Sequence, residues 1–159
     1  MTHLPGKVPM PAQTAEVLRQ AQGACVVPGG WVGGDAWFGS IMSCVELMKR
    51  LQVHSTFIVK GNDKYYPMAA LHLVLTARHG ARPAGHWVTM KATINEINAI
   101  AVAYAWSHKG VSYFVSTCGS TEPSAIKYQS KFKDEWGNTN AREIDQPKLA
   151  HTSSMSMLL

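Results

Sequence analysis

Hydrophobic and polar positions change their period along this chain, and the changes divide it into elements. From Ala36 to Leu51 the apolar residues Trp37, Ile41, Cys44, Met48 and Leu51 recur every three or four positions, with Phe38 and Val45 widening the stripe. That is the period of an amphipathic helix. Residues 11–22 (PAQTAEVLRQAQ) hold good helix formers behind a proline suited to a first helical turn, so a short helix is expected there. Between the two, Val26, Val27, Trp31 and Val32 form an extended apolar stretch, broken at Pro28, Gly29 and Gly30 and ending in the sharp Gly33-Gly34-Asp35. A strand therefore delivers Asp35 to a turn. Residues 53–59 (VHSTFIV), rich in β-branched and aromatic side chains and closed by Gly61-Asn62-Asp63, read as a second, buried strand. Strand, helix, strand predicts a parallel pair with a right-handed crossover, which puts both strand C-termini on one sheet edge, the edge of Asp35.

A short helix over residues 67–78 and a loop over 80–85 follow, and the period then becomes two. Val88, Met90, Ala92 and Ile94 alternate with Trp87, Thr89, Lys91 and Thr93. Ile100, Val102, Tyr104 and Trp106 repeat the alternation, as do Val111, Tyr113, Val115 and Thr117 after the turn at Ser107 to Gly110. Three such strands with short turns predict an antiparallel meander. From Glu122 onward the periodicity is lost. The expected organisation is an α/β chain with an irregular lead (1–13), a strand-helix-strand core (14–79), a β-rich insertion (80–121) and an irregular C-terminal tail (122–159).

Composition narrows this reading. With 159 residues, 46% apolar and 16% charged, the chain holds one domain's worth of foldable material and is too hydrophobic for a disordered class. No apolar run approaches the roughly 20 residues that span a bilayer, and the first residues lack a signal-peptide layout, so a soluble intracellular protein is expected. The net charge of +5 suits an anionic partner, but its densest cluster, Lys127, Lys131 and Lys133, reads as a solvated face. Cys25, Cys44 and Cys118 are odd in number and far apart, and are expected to be reduced, buried thiols. His54, His72, His79, His86 and His108 show no spacing that places two on one helical face, so no zinc site is expected. The Gly29-Gly30 and Gly33-Gly34 pairs lack phosphate-loop spacing and read as turn residues, and Ser116, Thr117 and Cys118 are assigned no chemistry.

The sharpest feature is Gly34-Asp35-Ala36-Trp37-Phe38-Gly39-Ser40, a carboxylate where a strand gives way to a helix. Asp35 can serve there as a helix N-cap. It can also serve as a ligand to a divalent cation, since α/β sheets place ligands at such edges and hard cations prefer carboxylate oxygen.

At this motif the chain resembles the piggyBac-type transposases and the proteins derived from them. The resemblance runs from about Thr14 to about Arg142. It rests on Asp35 to Ser40, on Glu46-Leu47-Met48-Lys49-Arg50, on Val59-Lys60 with Tyr66-Pro67, and on Ala105-Trp106 and Phe114-Val115-Ser116-Thr117. It implies a partial RNase H-like core with an antiparallel β-rich insertion, in which three acidic residues bind two Mg²⁺ or Mn²⁺ ions for DNA strand cleavage and transfer. Asp35 matches the second of these residues. Paired metals about 4 Å apart clamp the attacking and leaving oxygens, and one carboxylate cannot hold both. The first acidic residue is missing, since residues 1–13 contain no Asp or Glu, and Glu143-Ile144-Asp145-Gln146 is the only neighbourhood for the third, with Pro147 set against a helix there. The family's cysteine- and histidine-rich zinc module is missing too. The resemblance thus implies a transposase-derived fragment, inactive alone, with DNA as partner, no small-molecule substrate, room for a homodimer and a nuclear location. The alternatives are a non-catalytic nucleic-acid- or protein-binding module, or an active transposase whose chain continues at both ends. Missing strands would leave sheet edges open and apolar faces uncovered.

Overall fold

The computed structural model describes residues 10–61 and 63–151. Residues 1–9 of the expected lead and 152–159 of the expected tail lie outside the described residues.

Helix α1 spans Ala12–Gly23 and buries Thr14, Val17, Leu18 and Ala21, one face at three-to-four spacing. Strand β1 (Trp31–Gly34), helix α2 (Ile41–Leu51) and strand β2 (His54–Val59) form the expected parallel unit, with Trp31 opposite His54 and Gly34 opposite Phe57. Helix α2 starts later than its apolar stripe predicts. Residues 36–39 form a turn closed by the amides of Phe38 and Gly39 on the Asp35 carbonyl, and Ser40 is the N-cap, its hydroxyl accepting from the Ser43 amide at 3.0 Å. Lys49 and Arg50 in the last turn complement the helix dipole, and Gln52 at φ 54° ends the helix in the left-handed region. The Gly33-Gly34 pair belongs to β1 rather than to a turn: a Cβ on Gly34 would sit 2.7 Å from the Phe57 ring, so the strand keeps glycine where that ring lies.

Helix α3 (Met68–His79) precedes β3 (Trp87–Ile94), β4 (Ile97–Ala105) and β5 (Val111–Ser116), the expected meander. The meander joins the parallel pair in a single five-stranded sheet of order β1-β2-β5-β4-β3, because β5 pairs antiparallel with β2. The β2–β5 seam is locked inside by hydroxyls, with Thr56 and Ser116 2.7 Å apart and Ser116 donating to the Ser55 carbonyl at 3.0 Å, while the buried Ser55 hydroxyl finds no partner among the described residues.

The alternation along β4 assigns the two faces. Ala101, Ala103 and Ala105 join the core formed with Val17, Leu47, Phe57 and Leu75, and their small side chains let the helices approach the sheet closely. Val102 and Tyr104 point the other way, to Phe114, Leu149 and Ala150. Tyr66 is buried and its hydroxyl donates to the carbonyls of Val102 (3.0 Å) and Phe114 (2.8 Å); burial pushes its pKa upward.

The segment expected to be an irregular tail contains a hairpin, β6 (Tyr128–Lys133) and β7 (Thr139–Ile144), and covers the face that was expected to lie bare. Leu149 is 2% exposed, the Tyr104 hydroxyl donates to the Asp145 carbonyl, the Trp87 indole to the Thr121 carbonyl, and the Ser130 hydroxyl to the Trp106 carbonyl. The hairpin escapes a periodicity argument because most of its outward residues are polar and its inward contacts are few and dispersed. Its turn is held by Asp134, which accepts from the amides of Trp136 and Asn138, with Gly137 at φ 81°.

Of the three thiols expected to be buried, only Cys44 is; Cys25 and Cys118 are exposed, on a loop and at the end of a strand where no neighbour covers them. Burial pushes the Cys44 thiol up to about 12. In a thiol-labelling assay on the native chain, Cys25 and Cys118 should react and Cys44 should react only after denaturation. A third thiol labelled in the native state at the rate of the other two would contradict the α2 packing.

Candidate functional site

Asp35 follows the last residue of β1, at the carboxyl edge of the parallel pair. It is solvent-exposed, and its Oδ1 accepts the Trp37 amide at 2.9 Å, an Asx turn that aims the following residues. Its carboxylate is therefore a turn former. The N-cap reading does not hold, since Ser40 performs that task.

The turn after Asp35 lines a cleft of about 350 Å³ with Ser40, Lys60, Asp63, Lys64 and Tyr65. Trp37 is 63% exposed there, with the Lys60 ammonium 5.1 Å from its ring centroid. Lys64 stands 5.7 Å from the centroid of Tyr65. The opposite wall is built around Asp63, which follows β2 as Asp35 follows β1. Asp63 Oδ2 accepts the Ile41 amide of the α2 first turn at 3.1 Å, and Oδ1 accepts the Tyr65 amide at 3.1 Å. The anionic charge near the helix N-terminus is favourable, and it ties the two loops together. Asp63 was legible only as strand punctuation. The signal was its place as the first acidic residue beyond the second parallel strand.

The neighbourhood expected to hold a third acidic residue is engaged elsewhere. Glu143 ends in the β6–β7 hairpin, where Oε1 accepts from Gln129 Nε2 at 2.9 Å, and Asp145 pairs with Lys127. Neither lies on a helix, because β7 carries the chain through to Ile144. Among the described residues no group of three His, Cys, Asp or Glu that could hold a metal comes together. Both oxygens of Asp63 and one of Asp35 accept backbone amides.

The histidines make pairs across elements that sequence spacing does not reveal. His79 and His86 stack with centroids 3.9 Å apart, His72 contacts the Tyr113 hydroxyl at 3.2 Å, and His108 Nε2 lies 2.9 Å from an Arg142 nitrogen. Among the described residues no helix is long and apolar enough to cross a membrane.

No protein-family model and no curated protein matches the chain. Its fold is similar to part of a solved cryo-EM structure, the piggyBac transposase synaptic complex with hairpin DNA. The TM-score is 0.56 at 19% identity, over 98% of this chain. The match takes in 26% of the transposase chain, so this chain spans about a quarter of the neighbour's length.

Proposed function

We propose that this chain is a transposase-derived fragment built on a partial RNase H-like core, in which Asp35 stands at the position of one metal-binding carboxylate and which does not cut DNA alone. The observation that carries this reading is the placement of Asp35 at the carboxyl end of β1 on a sheet with a piggyBac-like fold, with no group of three His, Cys, Asp or Glu that could hold a metal among the described residues. Strand cleavage by paired ions needs several carboxylates to neutralise and position them. In this chain the residues of the site instead hold its shape: Asp35 fixes the turn that presents Trp37, and Asp63 fixes the loop that presents Tyr65. The nuclear location and the DNA partner belong to the same reading.

Incubation of supercoiled plasmid with the purified chain and Mn²⁺ tests it. Nicking should stay at background for the native chain and for Asp35→Asn, which keeps the turn acceptor while removing the charge. Nicking above background that disappears in Asp35→Asn would overturn the reading.

A further inference from the structure

The carboxyl ends of β1 and β2 share one sheet edge with the start of β5, the end of β4 and the start of β3, because β5 runs antiparallel to β2 with Tyr113 opposite Val59. With neighbouring strands about 4.8 Å apart, β4 lies about 14 Å and β3 about 19 Å from β1 along that edge. At the far end stand arginines and histidines from four elements. Arg78 and His79 end α3, Arg82 and His86 lie in the loop before β3, His108 lies in the β4–β5 turn, and Arg142 lies on β7.

Contacts tie these residues into one patch. His79 stacks on His86 at 3.9 Å, and the Ala84 amide, between Arg82 and His86, points at His108 Nδ1 at 3.4 Å. An Arg142 nitrogen faces His108 Nε2 at 2.9 Å. A neutral imidazole has a single acceptor nitrogen. His108 therefore faces two donors with one lone pair, and the buried Arg142 Nε has no hydrogen-bond partner among the described residues. The patch is a surplus of donors and positive charge.

Among the described residues no carboxylate is paired with these arginines. None of the four ion pairs among the described residues involves Arg78, Arg82, Lys109 or Arg142. Desolvation first, and then the neighbouring charges, His86 and Arg78 for His79 and Arg142 and Arg82 for His108, hold both imidazoles below the usual histidine range. Of the strands under α3, β3 carries only Lys91 and β4 carries no charged residue. On the hairpin, Asp134 is taken by turn amides, Glu143 by Gln129 and Asp145 by Lys127, while Glu135 lies in the turn at the tip.

We propose that this sheet edge binds the phosphate backbone of double-stranded DNA, with Arg78, Arg82 and Arg142 as phosphate contacts and His79 and His108 as contacts that strengthen on protonation. Phosphate oxygens accept only, which is what a cluster of unmatched donors requires. The choice of DNA over another polyanion rests on the transposase-derived reading; the cationic patch does not. Affinity should rise as pH falls, since His79 and His108 are neutral above their lowered pKa values and gain charge below them.

The test is fluorescence anisotropy of a labelled 20-base-pair duplex titrated with the full chain at several salt concentrations, at pH 7.5 and 5.5. Arg78 and Arg82 are exposed, so the double variant Arg78→Gln/Arg82→Gln should fold. Its affinity should fall about tenfold or more and its salt slope by about two, one per lost phosphate contact. Lys49→Gln removes a charge from the last turn of α2, at the opposite sheet edge, and should change affinity less than about twofold. The native chain should bind about tenfold more tightly at pH 5.5, and His79→Gln/His108→Gln should lose most of that gain. Equal losses for Lys49→Gln and the arginine variant, or an undiminished acid gain in the histidine variant, would overturn the proposal. So would a phosphopeptide that displaces the duplex at matched phosphate concentration. Plasmid nicking, in contrast, bears on the cleavage reading and leaves this one standing.

Discussion

Gly39→Ala abolishes or nearly abolishes folding. A Cβ at this position would lie 1.6 Å from the Ile58 carbonyl oxygen, 2.7 Å from its carbonyl carbon and 3.2 Å from the Phe57 Cβ. The first two are backbone atoms, so no rotamer change makes room. The backbone at Ile58 cannot retreat either, because β2 is held on one side by β1 and on the other by β5. Gly39 cannot move outward without pulling Ser40 from the N-cap of α2 or opening the turn on the Asp35 carbonyl. Overpacking an interior typically costs about 1–3 kcal/mol, and a clash between two fixed backbones belongs at or beyond the upper end of that range. Urea unfolding followed by circular dichroism should show no native baseline, or a loss of at least about 3 kcal/mol. A variant within about 0.5 kcal/mol of the native chain would mean that the Asp35–Ser40 turn does not pack on β2 as described.

Phe57→Ala removes the largest fully buried side chain of the sheet. Phe57 is 1% exposed, joins Leu47 and Val115 in the helix-facing core, and lies against Gly34 of the neighbouring strand. Truncating it should cost about 3–5 kcal/mol, the sum of lost burial and an unfilled cavity, a large share of the stability of a chain this size. The measurement is the shift of the urea midpoint at unchanged slope. A loss below about 1 kcal/mol would show that α2 and β2 do not enclose this ring.

The parts of this architecture that are local could be read from residues alone. The stripe from Ile41 to Leu51 is a helix because three-to-four spacing leaves one face apolar, and the strands of the meander alternate because each has one face toward the helices and one toward the C-terminal segment. The parallel crossover followed from handedness and chain economy. Pairings between distant segments left no such trace. Nothing in Val111 to Ser116 says that its partner is His54 to Val59, so the meander reads as an insertion although it completes the same sheet. The hairpin of Tyr128 to Ile144 contributes single contacts such as Ser130 to Trp106, which no period reports.

The candidate site was legible in the same uneven way. The carboxylate at the sheet edge was predicted from a strand-to-helix boundary, and Asp35 lies there. Its hydrogen bond to Trp37 and the cap at Ser40 are local contacts, whereas the bond from the Ile41 amide to Asp63 crosses 22 positions and is a tertiary contact that spacing does not report. The stacking of His79 on His86 and the meeting of His108 with Arg142 likewise join residues from different elements, where sequence spacing carries no information.

The most direct measurement of the central claim is calorimetric titration of Mn²⁺ into the native chain and into Asp35→Asn, with plasmid nicking read in the same samples. The account predicts weak heats that the substitution leaves unchanged, and intact supercoiled plasmid in both. Tight binding and nicking that both vanish with Asp35→Asn would show that further carboxylates complete the site, and would contradict it.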